Sequence, residues 1–169
     1  MSIKTKILPA DAVDLIAILN ELGVDYLIAG GHAVAFHGYI RYTGDVDILV
    51  RPSLQNAQKV DLALDRFGFG AAGIPKEATA RPGVAIHLGS EPNAIDIITS
   101  LSGVPTDKAL ANSVPAVVDG MTVRFISIDD LLENKKATGR LKDRLDIQNL
   151  RKLGKIQCLP HKQRRGGQK

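Results

Sequence analysis

Cysteine is almost absent from this sequence of 169 residues, where Cys158 stands alone. A single thiol can neither close an intramolecular disulfide nor build a thiolate cluster. A structural zinc site on cysteines is therefore excluded, and a reducing, intracellular setting is expected. Long apolar runs are missing too. None approaches the roughly 18 residues that a bilayer-spanning helix needs, and the opening MSIKTKILPADAV lacks the apolar core of a secretory leader. The expectation is a soluble, cytoplasmic protein with no membrane partner. No Gly-x-x-x-x-Gly-Lys-Ser/Thr run occurs, which excludes a P-loop. His32 and His37 miss the i, i+4 spacing of a zinc-binding helix and read as packing or rim residues.

The last absence is of acid near the C-terminus. Residues 151–169 carry seven Lys and Arg and no Asp or Glu, so the net charge of +4 divides into +7 there and −3 over residues 1–150. Such a segment suits phosphate contacts with a polyanion, or simply solvation at a chain end. The expected division is one domain over residues 1–153 and a basic, flexible tail over 154–169. A chain of this length buries roughly 70% of its unfolded surface and needs no disulfide.

What the chain does have is concentrated between Asp25 and Val50, DYLIAGGHAVAFHGYIRYTGDVDILV. It reads as a strand (Tyr26 to Ala29), a turn at Gly30 and Gly31, a short helix carrying Ala33, Val34 and Phe36, and a second strand ending at Val50. Alternation along that strand puts Asp45 and Asp47 on one face, about 7 Å apart. Two like charges so placed repel, and a divalent cation is the usual relief. Gly30 and Gly31 either receive phosphate oxygens at a helix start or simply make a tight turn.

Around this stretch the expected elements follow in order. A helix opening at Pro9-Ala10-Asp11 ends at Gly23, with Val13, Ile16, Ile18, Leu19 and Leu22 at helical spacing. Ser53 caps a helix running to about Phe67, with Leu54, Ala57, Val60, Leu64 and Phe67 as its buried stripe. Val84 to Leu88 and Ala94 to Ile98 read as strands around a turn at Glu91-Pro92-Asn93. Val114 to Val118 and Met121 to Ile126 read as a hairpin around Asp119-Gly120. Ser127-x-x-Asp130 opens another helix. Asp96, in Ile95-Asp96-Ile97-Ile98, is a carboxylate in apolar company. It either joins Asp45 and Asp47 in one cluster or faces water from an edge strand.

An apolar residue, Gly-Gly, thirteen residues and then Asp-apolar-Asp-apolar resembles the signature of the polymerase β nucleotidyltransferase superfamily. The run Arg41-Tyr42-Thr43-Gly44-Asp45-Val46-Asp47 resembles its small branch of minimal nucleotidyltransferases and AbiEii-like toxins. So does the arrangement Lys135, Gly139-Arg140, Lys142-Asp143, Asp146. The resemblance covers about residues 12–150. It implies an α/β (α+β) fold of the polymerase β type, a mixed, mostly antiparallel sheet with helices packed on it. The activity it implies is transfer of a nucleoside monophosphate from an NTP to an acceptor hydroxyl on RNA, protein or a small molecule.

Asp45, Asp47 and Asp96 would then be the catalytic and metal-binding residues, holding two Mg²⁺ ions, with Mn²⁺ as substitute. Gly30, Gly31, Arg41, Thr43, Lys135, Arg140 and Lys142 would bind the nucleotide. Arg41 and Thr43 serve equally well to order the turn before the second strand. Arg140 and Lys142 serve equally well as a solvated charged face, the role favoured for Arg144. Asp143 and Asp146 would orient the cations. As a toxin the protein would have an antitoxin partner. The alternative is a non-catalytic nucleotide- or partner-binding module of such a pair. Phosphoester hydrolysis is disfavoured because no histidine has matching spacing.

Overall fold

The computed structural model describes residues 6–157; the leader reading of the first residues, Cys158 and the rest of the basic segment lie outside them. Helix α1 (Ala10–Glu21) follows Pro9 and ends ahead of Gly23, which turns the chain away at φ +64°. Its buried side is Ala12, Leu15, Ile16 and Leu19, so the stripe is rotated toward Leu15, and Val13, Ile18 and Leu22 are only partly covered. Strand β1 (Tyr26–Ala29), helix α2 (Gly30–Phe36) and strand β2 (Asp45–Val50) then follow as expected.

Helix α3 (Leu54–Leu64) is capped by the Ser53 hydroxyl, which accepts from the Asn56 N–H. Leu54 is exposed, against the sequence reading. The helix start is pinned instead by buried Asn56, which accepts from the Asp25 N–H and donates to the Asp25 and Arg51 carbonyls. The stripe therefore begins at Asn56 and Ala57 and continues through Val60, Ala63 and Leu64. Phe67 is half-buried in a wider turn over Asp65–Phe69, where Gly68 at φ +103° breaks helical geometry.

The remaining elements are strands β3 (Ala85–Leu88) and β4 (Ala94–Ile98), helix α4 (Thr106–Ala111), strands β5 (Val114–Val118) and β6 (Met121–Phe125), and helices α5 (Ile128–Thr138) and α6 (Leu141–Gln157). Helix α4 has no counterpart in the sequence reading, since its six residues bury only Ala109 and Leu110 and leave no periodic stripe to find. Ser127 caps α5 by accepting from the Asp130 N–H, as the motif predicts.

The strands form one six-stranded sheet in the order β3-β4-β2-β1-β6-β5. Pairs β1·β2, β3·β4 and β5·β6 are antiparallel, and β1·β6 and β2·β4 are parallel. The sheet is thus mixed and mostly antiparallel, with helices packed on it, as the resemblance implies. β1 is buried along its whole length, so both its faces are covered. Leu15, Ile16, Leu19, Leu27, Ile28, Ile48, Leu49, Phe125 and Ile126 are fully buried at the centre. Parallel β2 and β4 need a crossover between them, supplied by α3 and β3. That crossover brings two distant acidic segments side by side.

Candidate active site

The register decides the site. Asp47 on β2 lies opposite Asp96 on β4 and opposite Ala29 on β1, with Asp45 one pleat away on the same face as Asp47. One carboxylate oxygen from each of Asp45, Asp47 and Asp96 lies within 4.8 Å of the others. All three are partly exposed, so the cluster opens to solvent at a sheet otherwise packed with apolar side chains. Burial, and then the charges of Asp45 and Asp96, push the Asp47 carboxyl up from its ordinary 3.8 to about 6, against a smaller pull from Lys135 and Lys142. Among the described residues Asp47 has no hydrogen-bond donor of its own, and Asp45 has only the Thr43 hydroxyl, at 3.3 Å. Three mutually repelling carboxylates fit a hard divalent cation such as Mg²⁺, for which an all-oxygen donor set is the preferred chemistry.

The glycine corner is shaped to admit this cluster. Gly30 has φ +62°, and a Cβ placed on it would lie 1.8 Å from Asp47 Oδ2 and 2.8 Å from Asp47 Cγ. The missing side chain at Gly30 is what lets Asp47 stand where it does. A Cβ on Gly31 would fall 2.6 Å from the Thr43 hydroxyl oxygen, and Gly31 is buried. Gly31 therefore admits Thr43 rather than a ligand, while Gly30 lines an open cleft. Gly30→Ala is expected to be less stable by about 1–3 kcal/mol, and to lose Mn²⁺ affinity because Asp47 is displaced. Chemical denaturation and a Mn²⁺ titration check this; a variant equal to wild type in both would show that the corner relaxes freely.

Beside Asp47 is a cleft of about 180 Å³ lined by Ala29, Gly30, Ser100, Ser102, Lys135 and Arg140 among others. Lys135 on α5 is buried and bonds Asp143 Oδ1 at 3.0 Å and Asp146 Oδ2 at 2.9 Å, both carboxylates on α6 having no exposure at all. Asp146 also takes a two-pronged contact from Arg41, 2.6 Å from Nε and 2.7 Å from Nη2. Asp143 takes Arg140 Nε at 2.8 Å and the Thr138 hydroxyl at 2.8 Å. Burial opposes ionisation of Asp143, yet bonds from Arg140, Thr138 and Lys135 hold its carboxyl far below the usual carboxylate range. Burial likewise opposes ionisation of Asp146, and Arg41 and Lys135 overcome it. The sequence reading of Asp143 and Asp146 as orienting acids thus describes a buried ionic network, not a solvated helix face.

The expected nucleotide-contact residues divide. Gly30, Lys135 and Arg140 line the cleft with Asp47, and Lys142 is exposed and near enough to draw the Asp47 pKa down. Arg41 spends its donors on Asp146 and on the Tyr42 carbonyl, and Thr43 on Asp45, so both brace the loop ahead of β2. With His32 and Ile40 they also line a second cleft, of about 280 Å³. His32 Nδ1 meets the Ile7 carbonyl at 2.6 Å and His37 Nε2 the Ile126 carbonyl at 2.8 Å, as packing residues do. His87 was not anticipated. It lies opposite Asp96 on β3, with Nδ1 at 2.5 Å from Asp96 Oδ1.

No family model matches the chain, and no curated protein sequence does. Solved structures do. The lincosamide antibiotic adenylyltransferase LnuA, bound to lincomycin, is 18% identical, with a TM-score of 0.56 over 85% of this chain and 97% of its own. An antigenic nucleotidyltransferase-like protein from Paracoccidioides brasiliensis is 15% identical, with a TM-score of 0.53 over 89% of this chain and 77% of its own. A candidate nucleotidyltransferase from Thermotoga maritima is 13% identical, with a TM-score of 0.52 over 92% of this chain and 99% of its own. At such identities the likeness is one of fold. The chain has the nucleotidyltransferase fold, and its acidic cluster is carried by the adjacent strands β2 and β4.

Proposed function

We propose that this protein is a metal-dependent nucleotidyltransferase that moves a nucleoside monophosphate from an NTP to an acceptor hydroxyl and releases pyrophosphate. The observation that carries the reading is the convergence of Asp45, Asp47 and Asp96 on one point, beside a glycine corner and a cation-lined cleft. Those three carboxylates would hold the divalent ions, two in this reading, which when bound neutralise phosphate charge and activate the attacking oxygen. Lys135 and Arg140 face the cleft and would hold the triphosphate, their positions set by Asp143 and Asp146. Lys142 adds charge from the rim. Arg41 and Thr43 act at one remove, fixing the loop that presents Asp45. In-line phosphoryl transfer asks mainly for charge neutralisation and positioning, which is what this set of groups offers.

For the acceptor, α6 supports RNA. Arg144, Arg151 and Lys155 are all exposed and at 100° per residue fall in a sector of about 40°, a row about 17 Å long, with Arg140 just ahead of the helix at the cleft wall. Among the described residues Arg144, Arg151 and Lys155 have no ion-pair partner, in contrast to Arg140, which bonds Asp143. A phosphate chain running along this row would bring its end to the cleft that Asp47 lines. The likeness of residues 135–146 to AbiEii-like toxins supports a toxin role with an antitoxin partner.

Labelled NTPs with Mg²⁺ and either RNA or lincomycin as acceptor test the reading. Wild type labels RNA and a folded Asp47→Ala variant does not; equal labelling by both removes the assignment. Replacing Arg144, Arg151 and Lys155 by alanine is expected to weaken RNA binding and to flatten its log K against log salt slope by about 2, at roughly 0.7 per phosphate contact on a single strand. An unchanged slope would place the RNA elsewhere.

A further inference from the structure

We infer that His87 is a positioning residue for the metal site, fixing the carboxylate of Asp96 from outside the acidic cluster. The inference rests on the reading of Asp45, Asp47 and Asp96 as a metal site. Its geometry comes from the sheet. The antiparallel register of β3 and β4 pairs His87 with Asp96, the parallel register of β4 and β2 pairs Asp96 with Asp47, and the antiparallel register of β2 and β1 pairs Asp47 with Ala29. A single row thus crosses the sheet from the histidine, through two carboxylates, to the glycine corner.

His87 Nδ1 is 2.5 Å from Asp96 Oδ1, and its side chain is 61% exposed against 24% for Asp96. The ring therefore stands on the solvent side of the acid, where its N–H donates to one oxygen and leaves the other uncommitted. Among the described residues this is the only hydrogen bond to an Asp96 side-chain oxygen. Without it the carboxylate is free to rotate away from two like-charged neighbours. Asp45 has an equivalent outer partner in the Thr43 hydroxyl, and central Asp47 has none. The two flanking acids are each steadied from outside while the middle one stays open. As a fold-stabilising contact the pair is worth little, because an exposed ion pair is screened by water. Its value lies in orienting a metal ligand, and loss of such outer-shell partners typically weakens metal affinity about 10- to 100-fold.

The test is direct Mn²⁺ titration of the full chain without nucleotide, by the disappearance of the free-ion EPR signal, in mildly alkaline buffer. His87→Ala is expected to bind Mn²⁺ at least about tenfold more weakly, with an unchanged unfolding temperature. His87→Asn, whose side-chain amide nitrogen replaces Nδ1, is expected to restore affinity close to wild type. If His87→Ala binds as tightly as wild type or more tightly, while Asp47→Asn loses the ion, the histidine is a bystander and the carboxylate site stands. If wild type binds no Mn²⁺, or Asp47→Asn binds it equally, the carboxylate site falls and the role of His87 falls with it.

Discussion

Asp47→Asn should abolish nucleotidyl transfer and at the same time yield a metal-free protein more stable than wild type near neutral pH. Both effects have the same origin. In the folded chain burial and the charges of Asp45 and Asp96 hold the Asp47 carboxyl at about 6 instead of 3.8. The folded state therefore binds a proton more tightly than the unfolded chain does. Across the window between about pH 4 and pH 6 wild-type stability falls as pH rises, and above it ionised Asp47 is a standing penalty on the order of 2–3 kcal/mol. Asparagine keeps the shape and removes the charge. Denaturant unfolding should place Asp47→Asn above wild type at pH 7 by about 1–3 kcal/mol, with the advantage vanishing below about pH 4. Saturating Mn²⁺ should reverse the order, because only wild type gains the binding energy. A variant less stable than wild type at neutral pH would show that the Asp47 charge is already compensated without a cation.

Lys135→Met should be the most damaging single change away from the acids. Lys135 has only 4% of its side chain exposed and bonds two carboxylates that have none. Methionine fills the volume and leaves Asp143 and Asp146 short of a cation, and breaking a buried pair in this way costs about 3–5 kcal/mol. Arg140→Met is the matched control. Its side chain is 59% exposed, so its pair with Asp143 contributes far less. The pH dependence runs opposite to that of Asp47. Asp143 and Asp146 are held below the usual carboxylate range, so their stabilisation is complete above about pH 4 and is lost as acid protonates them. Lys135→Met should thus unfold at a higher pH than wild type during acid titration followed by circular dichroism. Losing the Lys135 charge should also drive the Asp47 pKa further up and shift the acid limb of the activity profile upward.

Much of this architecture could be read from residue patterns because the signals were local. Ser53 and Ser127 announce their helices through hydroxyls that accept from N–H groups three residues on. The alternation Asp45-Val46-Asp47-Ile48 fixes which side chains share a face of β2. Other features depended on partners distant in sequence. Leu54 looked buried by spacing, but a side chain 31 residues from Asp25 sets the start of α3 instead. Lys135 reads from sequence as a triphosphate-facing cation and Asp143 and Asp146 as acids that orient it, but a run of alternating charges carries no sign that the three are buried against one another. Strands over 84–88 and 94–98 bring His87 near Asp96, but the register that pairs Leu88 with Ile95, and so His87 with Asp96, depends on the turn between them. Gly30 and Gly31 look alike in sequence, and only the packed neighbours separate the one that accommodates the Asp47 carboxylate from the one that accommodates Thr43.

The contact between Arg41 and Asp146 joins positions 105 residues apart. A nascent chain emerging from the ribosome carries Asp45, Asp47 and Asp96 long before it carries the helix that anchors Lys135 and the loop ahead of Asp45. During synthesis, then, all three acids leave the ribosome before the carboxylates that hold Lys135 and the loop ahead of Asp45 in place.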